Sequence, residues 1–330
     1  MPVAKGIGRM IQFGIAKETA RGTANAAADY WLPWSEHSID EKDARVPIDT
    51  AIGVIEDGNG ETIAKQWAEA SVKAPVDDTI LPLFLISLLG TNTPAANSDP
   101  SGIVYNNTIT VAQTPIHQSL SLYSNDDLST VDYKYALGVC TSFELDYMVG
   151  KFVEFIAKLK CKKGATATNT PASTTINRFL GHHMTFKIAA NLAGLTAASA
   201  VTIRGAKLLI QNNIEDDHNL GSLAPTDFVN KQFKITGEFE LCWVDETYKT
   251  IAIAGTSKAL RFDLINTDVT IGTSANPELR IDLANAIFGQ PTRAIKLNDM
   301  VIQTIPFTAY YSTGDSKMVT ILATNLKNGY

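Results

Sequence analysis

Lys65-Gln66-Trp67 leads into Val76-Asp77-Asp78-Thr79 and an apolar stretch that ends at Gly90-Thr91. Later, Lys231-Gln232-Phe233 leads into Val244-Asp245-Glu246-Thr247 and an apolar stretch that ends at Gly255-Thr256. Both copies read as strand, acidic turn, short helix and turn. Asp and Thr side chains accept the free amide protons at a helix start. Pro82 falls in the first helical turn, where its missing N–H costs little. Gly90 stands where a left-handed C-cap is expected. The echo predicts two similar β-rich units in one chain; the alternative is that β-sandwich grammar simply recurs.

Working outward, Val46 to Ile55 reads as a strand, and Asp57-Gly58-Asn59-Gly60 as a hairpin turn, because Gly and Asn supply positive φ. Glu61 to Val72 returns with alternation at Ile63, Lys65, Trp67 and Glu69. Further strands are expected at Val104–Val111, His117–Tyr123, Tyr133–Asp146 and Lys151–Lys160. The second half adds Met184–Ala189, Val201–Asn212, Gln232–Trp243, Lys258–Leu264, Glu278–Leu283, Met300–Tyr311 and Lys317–Leu322. Many strands with one short helix per half, Thr79–Leu89 and Glu246–Ala254, indicate a mainly β protein of two β-sandwich units. Residues 164–176 are small and hydroxylated, with one Pro, and read as a linker loop. The expected organisation is an extended N-terminal arm (1–45), a first sandwich (46–163), the linker (164–176) and a second sandwich (177–330). The arm holds Tyr30-Trp31-Leu32-Pro33-Trp34. Its aromatics either dock on a partner or pack on their own domain.

Composition narrows the function. A 330-residue chain with 45% hydrophobic and 19% charged residues can bury a real core. A net charge of −6 argues against sequence-independent DNA affinity, which needs clustered Lys and Arg. Lys158, Lys160, Lys162 and Lys163 alternate with small or apolar residues, as on a solvated strand face. Cys140, Cys161 and Cys242 are an odd set without metal-like spacing, which points to a reducing compartment. The opening Met1–Gly6 lacks the apolar core of a signal peptide. The run Ile80–Leu89 is far short of the roughly 20 residues a membrane helix needs. A soluble protein is expected.

No catalytic constellation is found. Gly6-x-Gly8 is not in a βαβ context. His182 and His183, if on a strand, face opposite sides and cannot easily share a metal. Asp126-Asp127 and Glu215-Asp216-Asp217-His218 lack the spacing of a calcium loop. The expectation is no enzyme, no cofactor and no metal.

Four stretches, in order, resemble the tail tube (major tail) proteins of long-tailed bacteriophages. They are Gly14-Ile15-Ala16-Lys17-Glu18-Thr19-Ala20-Arg21-Gly22-Thr23-Ala24; Trp67-Ala68-Glu69 with Leu85-Ile86-Ser87-Leu88-Leu89-Gly90; Leu209-Ile210-Gln211-Asn212-Asn213-Ile214-Glu215; and Asn230-Lys231-Gln232-Phe233-Lys234-Ile235-Thr236-Gly237-Glu238-Phe239-Glu240. The resemblance implies a virion structural subunit, assembled in the host bacterial cytoplasm and polymerised as stacked rings around a DNA channel. It also implies tape measure, tail terminator and baseplate partners, and no membrane. If the echo is a duplication, trimeric rings with pseudo-sixfold symmetry are favoured over hexamers. The implied channel acids are Asp57, Glu61, Glu69, Glu238 and Glu240. Candidate interface residues are Tyr30, Trp31 and Trp34 on the arm, and Leu83, Phe84 and Ile86 on the first helix, which is more apolar than one face requires. The alternatives are another virion ring (tail terminator, baseplate or contractile-tail inner tube) and a carbohydrate-binding β-sandwich that stacks sugars on Tyr30, Trp31 and Trp34.

Overall fold

Alternation of apolar and polar residues shapes most of this chain. The computed structural model describes residues 6–126 and 131–330. The first half runs β1 (Gln12–Lys17), β2 (Tyr30–Leu32), β3 (Glu36–Pro47), β4 (Glu61–Pro75), α1 (Leu81–Leu89), β5 (Gly90–Ala96), β6 (Tyr105–Val111), β7 (Leu120–Asn125), β8 (Asp132–Met148), β9 (Glu154–Cys161) and β10 (Ala165–Ala167). The second runs β11 (Met184–Ala189), β12 (Gly205–Asp217), β13 (Asp227–Cys242), α2 (Thr247–Ala254), β14 (Lys258–Ile265), β15 (Glu278–Phe288), β16 (Thr292–Ala294), β17 (Ile302–Ala309) and β18 (Val319–Asn325). The mainly β expectation holds.

The ladders are antiparallel and build a sandwich. A long sheet has the order β3-β4-β9-β8-β12-β13-β17. A second has the order β11-β14-β15-β18-β6-β5. The far end of β15 leaves the second sheet and pairs Ala286–Phe288 with β17, closing one side. Between the sheets lie Phe143, Leu145, Leu208, Phe239 and Ile305 from the long sheet and Leu260, Phe262, Ile281 and Ile321 from the other, all fully buried. Rings meet across the gap, Tyr147 on Phe262 at 5.7 Å and Phe186 on Phe239 at 5.0 Å. Both halves contribute to both sheets, joined at the β8–β12 and β6–β18 seams.

A small third sheet holds β2, β1, β7, the start of β8 and β10. β8 passes from this sheet into the long one at Leu137-Gly138. Leu137 has a φ of 58°, a conformation costly for a side chain branched beyond Cβ, and it is buried.

Two expectations change. The strand expected at Val46–Ile55 is Glu36–Pro47 instead, and 48–60 is an irregular loop joining β3 to β4. β3 is an edge strand with most positions exposed, and it carries charges where a buried strand shows alternation. Its composition therefore reads as an arm. The first helix begins at Leu81 rather than Thr79, because Asp77 Oδ1 accepts from the amides of Thr79 (2.8 Å) and Ile80 (2.5 Å) and so caps the turn before it.

Candidate channel face and assembly surfaces

The long sheet shows one face to the core and a polar face outward. Its strands are half-buried, so their side chains alternate inward and outward, and the pairing sets outward residues in rows. One row reads Glu154, Asp146, Lys207, Glu238 across β9, β8, β12 and β13. Another sets Glu69 between Asp40 and Lys160. Glu240 stands opposite Thr304. Glu69, Glu238 and Glu240 thus share this face. The other two expected acids do not join them. Asp57 lies in the exposed 48–60 loop, and Glu61 opens β4 and pairs with Arg45 at 2.6 Å. Two lysines of the face are held by carboxylates, Lys160 to Asp216 at 2.9 Å and Lys73 to Glu154 at 3.1 Å, while Lys158 and Lys207 are exposed. Alternating strand polarity was legible in sequence; the row-by-row interleaving of charge was not, since it depends on register.

The expected interface residues have varied fates. Leu83, Phe84 and Ile86 are 2%, 0% and 3% exposed, enclosed by their own chain. The helix is apolar all round because its own chain surrounds it. Trp31 is buried against Tyr123, Ala16 and Ala28. Its ring offers no face for a sugar to stack on. Trp34 donates Nε1–H to the Ile11 carbonyl at 3.2 Å, and Tyr30 receives Lys327 over its ring at 5.0 Å.

The pattern of the Lys17–Thr23 stretch does not by itself assign its residues roles. The structure does. Glu18 is 3% exposed and accepts from the amides of Leu137 (2.6 Å) and Gly22 (2.7 Å) and from the Ser119 hydroxyl (2.5 Å). It therefore pins the left-handed Leu137 where β8 changes sheets. Arg21 makes a bidentate pair with Asp227 at the start of β13, Nε to Oδ1 at 2.8 Å and Nη2 to Oδ1 at 2.6 Å with Nε also 3.1 Å from Oδ2. It also donates to the carbonyls of His117 and Phe228. One short segment thus ties both halves together. Gly22 turns between them at a φ of 77°.

His182 and His183 lie on a 3-10 turn (Gly181–His183), not a strand, and both approach Asp268, at 3.5 and 3.0 Å. Together they form a cluster with metal-ligand composition. The hydrogen bonding tells against ligation. His183 Nδ1 accepts from the Leu180 amide (3.1 Å), so the ring proton sits on Nε2 and is donated to Asp268. That bond holds the Asp268 carboxyl below its ordinary value. Ligation through Nε2 would need that proton removed. Of the acidic clusters, Glu215 pairs with Lys231 at 2.7 Å and Asp216 with Lys160; Asp127 lies outside the described residues. Burial pushes the Cys140 and Cys161 thiols far above their ordinary range, which leaves them inert. No helix among the described residues is long and apolar enough to cross a membrane.

No curated protein matches the chain. The family model for phage tail tube proteins matches residues 8–309, nearly the whole chain. That span takes in the Glu18–Arg21 clamp, both hairpin–helix units and the polar sheet face. The chain belongs to the phage tail tube protein family, the structural subunits of a virion tail.

Proposed function

We propose that this chain polymerises as stacked rings around a channel through which DNA passes during ejection, with the polar face of the long sheet turned to the channel. The observation that carries this reading is the β8–β12 seam, where two hairpin–helix units continue one sheet edge to edge within a single chain. A ring needs the same arrangement between chains. Open edges template uncontrolled pairing, and a closed ring removes them. Contacts within a ring are head-to-tail and close, while stacking continues along the axis.

Because each chain supplies two such units, rings of three chains with pseudo-sixfold symmetry are favoured over rings of six. This reading takes the chain as a duplication, with the halves meeting near 164–176. Glu69, Glu238 and Glu240 are the channel acids, and Asp57 and Glu61 sit at its mouth. A wall that sets acids beside its lysines, with Lys160 and Lys73 paired to carboxylates, lets DNA slide rather than stick. The exposed Ile52, Val54 and Ile55 of the 48–60 loop suit contact with the next ring. Tape measure, tail terminator and baseplate proteins are the expected partners, with assembly in the host bacterial cytoplasm.

Negative-stain microscopy of the purified protein, with light scattering, tests the reading. Hollow tubes or rings with the mass of three chains are expected, and rings of six would overturn the trimer. In the virion, Glu238→Lys with Glu240→Lys should slow or block DNA delivery. Unchanged infectivity would sink the channel assignment.

A further inference from the structure

We propose that residues Gly6–Met10 of a second copy of this chain dock across Trp243–Asp245 of the first, in a groove beside α2. The proposal rests on the ring reading and names the segment and groove that join one chain to the next.

The chain already makes one such contact with itself. After β4, the backbone at Val76 donates to the Val153 carbonyl at 2.8 Å. Residues 177–180 lie along that turn. Phe179 donates to the Val76 carbonyl and accepts from the Val153 amide, and Asn177 accepts from Asp78 and donates to its carboxylate. With this strip in place, Val76, Asp77 and Asp78 are 0%, 1% and 4% exposed.

The second unit has the same groove and no strip. After β13, Trp243 donates to the Val301 carbonyl at 2.9 Å, the counterpart of Val76 and Val153. Here Trp243 is 39% exposed and Val244 81%, and Leu297 and Met300 in the segment leading to Val301 are also open. Arg293 lies over the Trp243 ring at 4.6 Å from its centroid, but among the described residues no backbone strip pairs with Val244 or Asp245 as 177–180 pairs with the first turn.

The strip that covers the first groove has a counterpart too. Asn177–Leu180 runs into the 3-10 turn Gly181–His183 and then β11. At the other end of the chain, Gly6-Ile7 runs into the 3-10 turn Gly8–Met10 and then β1. Ile7 and Leu180 are both extended, and each turn closes by an amide donating to the carbonyl of its leading glycine, Gly8 or Gly181. Ile7 is 67% exposed and Met10 51%, although both are apolar. The strip ahead of the second unit fills the first unit's groove. The strip ahead of the first unit is therefore the fitting occupant of a second-unit groove, and in a head-to-tail ring that groove belongs to the neighbouring copy.

The test is cysteine pairing in the full chain. Ile7→Cys and Val244→Cys are combined on a Cys242→Ser background and oxidised mildly under assembly conditions. A covalent ladder of chains on a non-reducing gel is expected for the pair, against at most dimers for either single variant. A cross-link closed within one monomer, or no ladder from material that assembles by light scattering, overturns the proposal and leaves the ring reading standing. Wild-type protein that forms neither rings nor tubes at any concentration overturns both. As a second measurement, Val244→Asp with Leu297→Asp should raise the concentration needed for assembly at least tenfold while circular dichroism and melting stay as in wild type. Assembly at the wild-type concentration would refute it.

Discussion

The two helix turns share a sequence pattern and the backbone hydrogen bond that follows the preceding strand, but not their surroundings. Every residue of α1 is buried and no residue of α2 is. In the first unit, Phe155 lies opposite the next-to-last residue of β4 and packs on Phe84 of the helix at 5.5 Å and on Phe143 at 5.4 Å. At the matching place opposite β13 stands Gln303, 1% exposed, with neither amide atom hydrogen-bonded. It lines a cleft of about 340 Å³ under α2, together with Leu241 and Tyr248. One helix is sealed by aromatic contact and by the other half of the chain, whose Asn212 donates to the Leu88 carbonyl. The other sets Tyr248 against Phe239 at 5.8 Å and Phe288 at 6.4 Å, but beside a partly polar cleft that nothing fills among the described residues. The same local grammar thus gives a core element or a surface element, depending on what lies opposite it.

That contrast can be broken or sharpened. Phe155→Gln, which gives the first unit the second unit's residue, should cost about 3–5 kcal/mol, the range for losing a buried aromatic. Urea unfolding reads it, and a loss below about 1 kcal/mol would mean that the phenyl does not seal α1. The reverse change, Gln303→Leu, removes an unpartnered buried amide and should gain about 1–2 kcal/mol. A lower melting temperature would show that the amide has a partner in solution.

The capping acids differ in the same way. Burial raises the Asp77 carboxyl to about 7 despite its amide partners, while Asp245, in the open turn, is lowered by the Thr247 amide. The folded state holds the Asp77 proton more tightly than the unfolded chain does. Its contribution to stability is therefore complete below about pH 4. It is lost as pH rises through about 7. Asp245 contributes above its ordinary value and stops as pH falls through its folded one. Asp77→Asn should flatten the stability profile between about pH 4 and 7, measured by urea midpoints at pH 4, 5.5 and 8. An unchanged slope would rule out Asp77 as its source. The smallest effect is expected for Ile253→Ser on the open side of α2, within about 0.5 kcal/mol. A larger loss would show that this helix is better packed than its exposure suggests.

Most strands were legible because a half-buried strand writes its two faces into the sequence. Met184–Ala189 falls as expected, β6, β8, β9 and β14 fall within three residues, and β13 begins at Asp227, ahead of the expected Gln232. β3 was not legible, because an edge strand with little burial has no alternation to show. The burial of α1 was visible in its all-round apolarity, but whether another chain or its own covers it depends on long-range packing. The acids split for a similar reason. Glu69, Glu238 and Glu240 sit on strands, where parity fixes the face. Asp57 sits in a loop, where it does not. The His182–Asp268 contact escaped because nothing in the local spacing of the two histidines points to an acid some 85 residues away.

The Arg21–Asp227 pair joins residues 206 positions apart. At a translation rate of about 5–20 residues per second, the guanidinium waits roughly 10–40 seconds for its carboxylate. Late in that interval β8 waits for β12, whose end lies 69 residues further on, roughly 3–14 seconds at the same rate, and its edge is open to any other nascent chain. The clamp therefore acts as a completion check: the early segment locks only when the later half has emerged to take the edge it borders. A variant without that lock, such as Arg21→Met, is expected to express as aggregate at 37 °C and to recover at low temperature, where partial chains have longer to find their own partner strand.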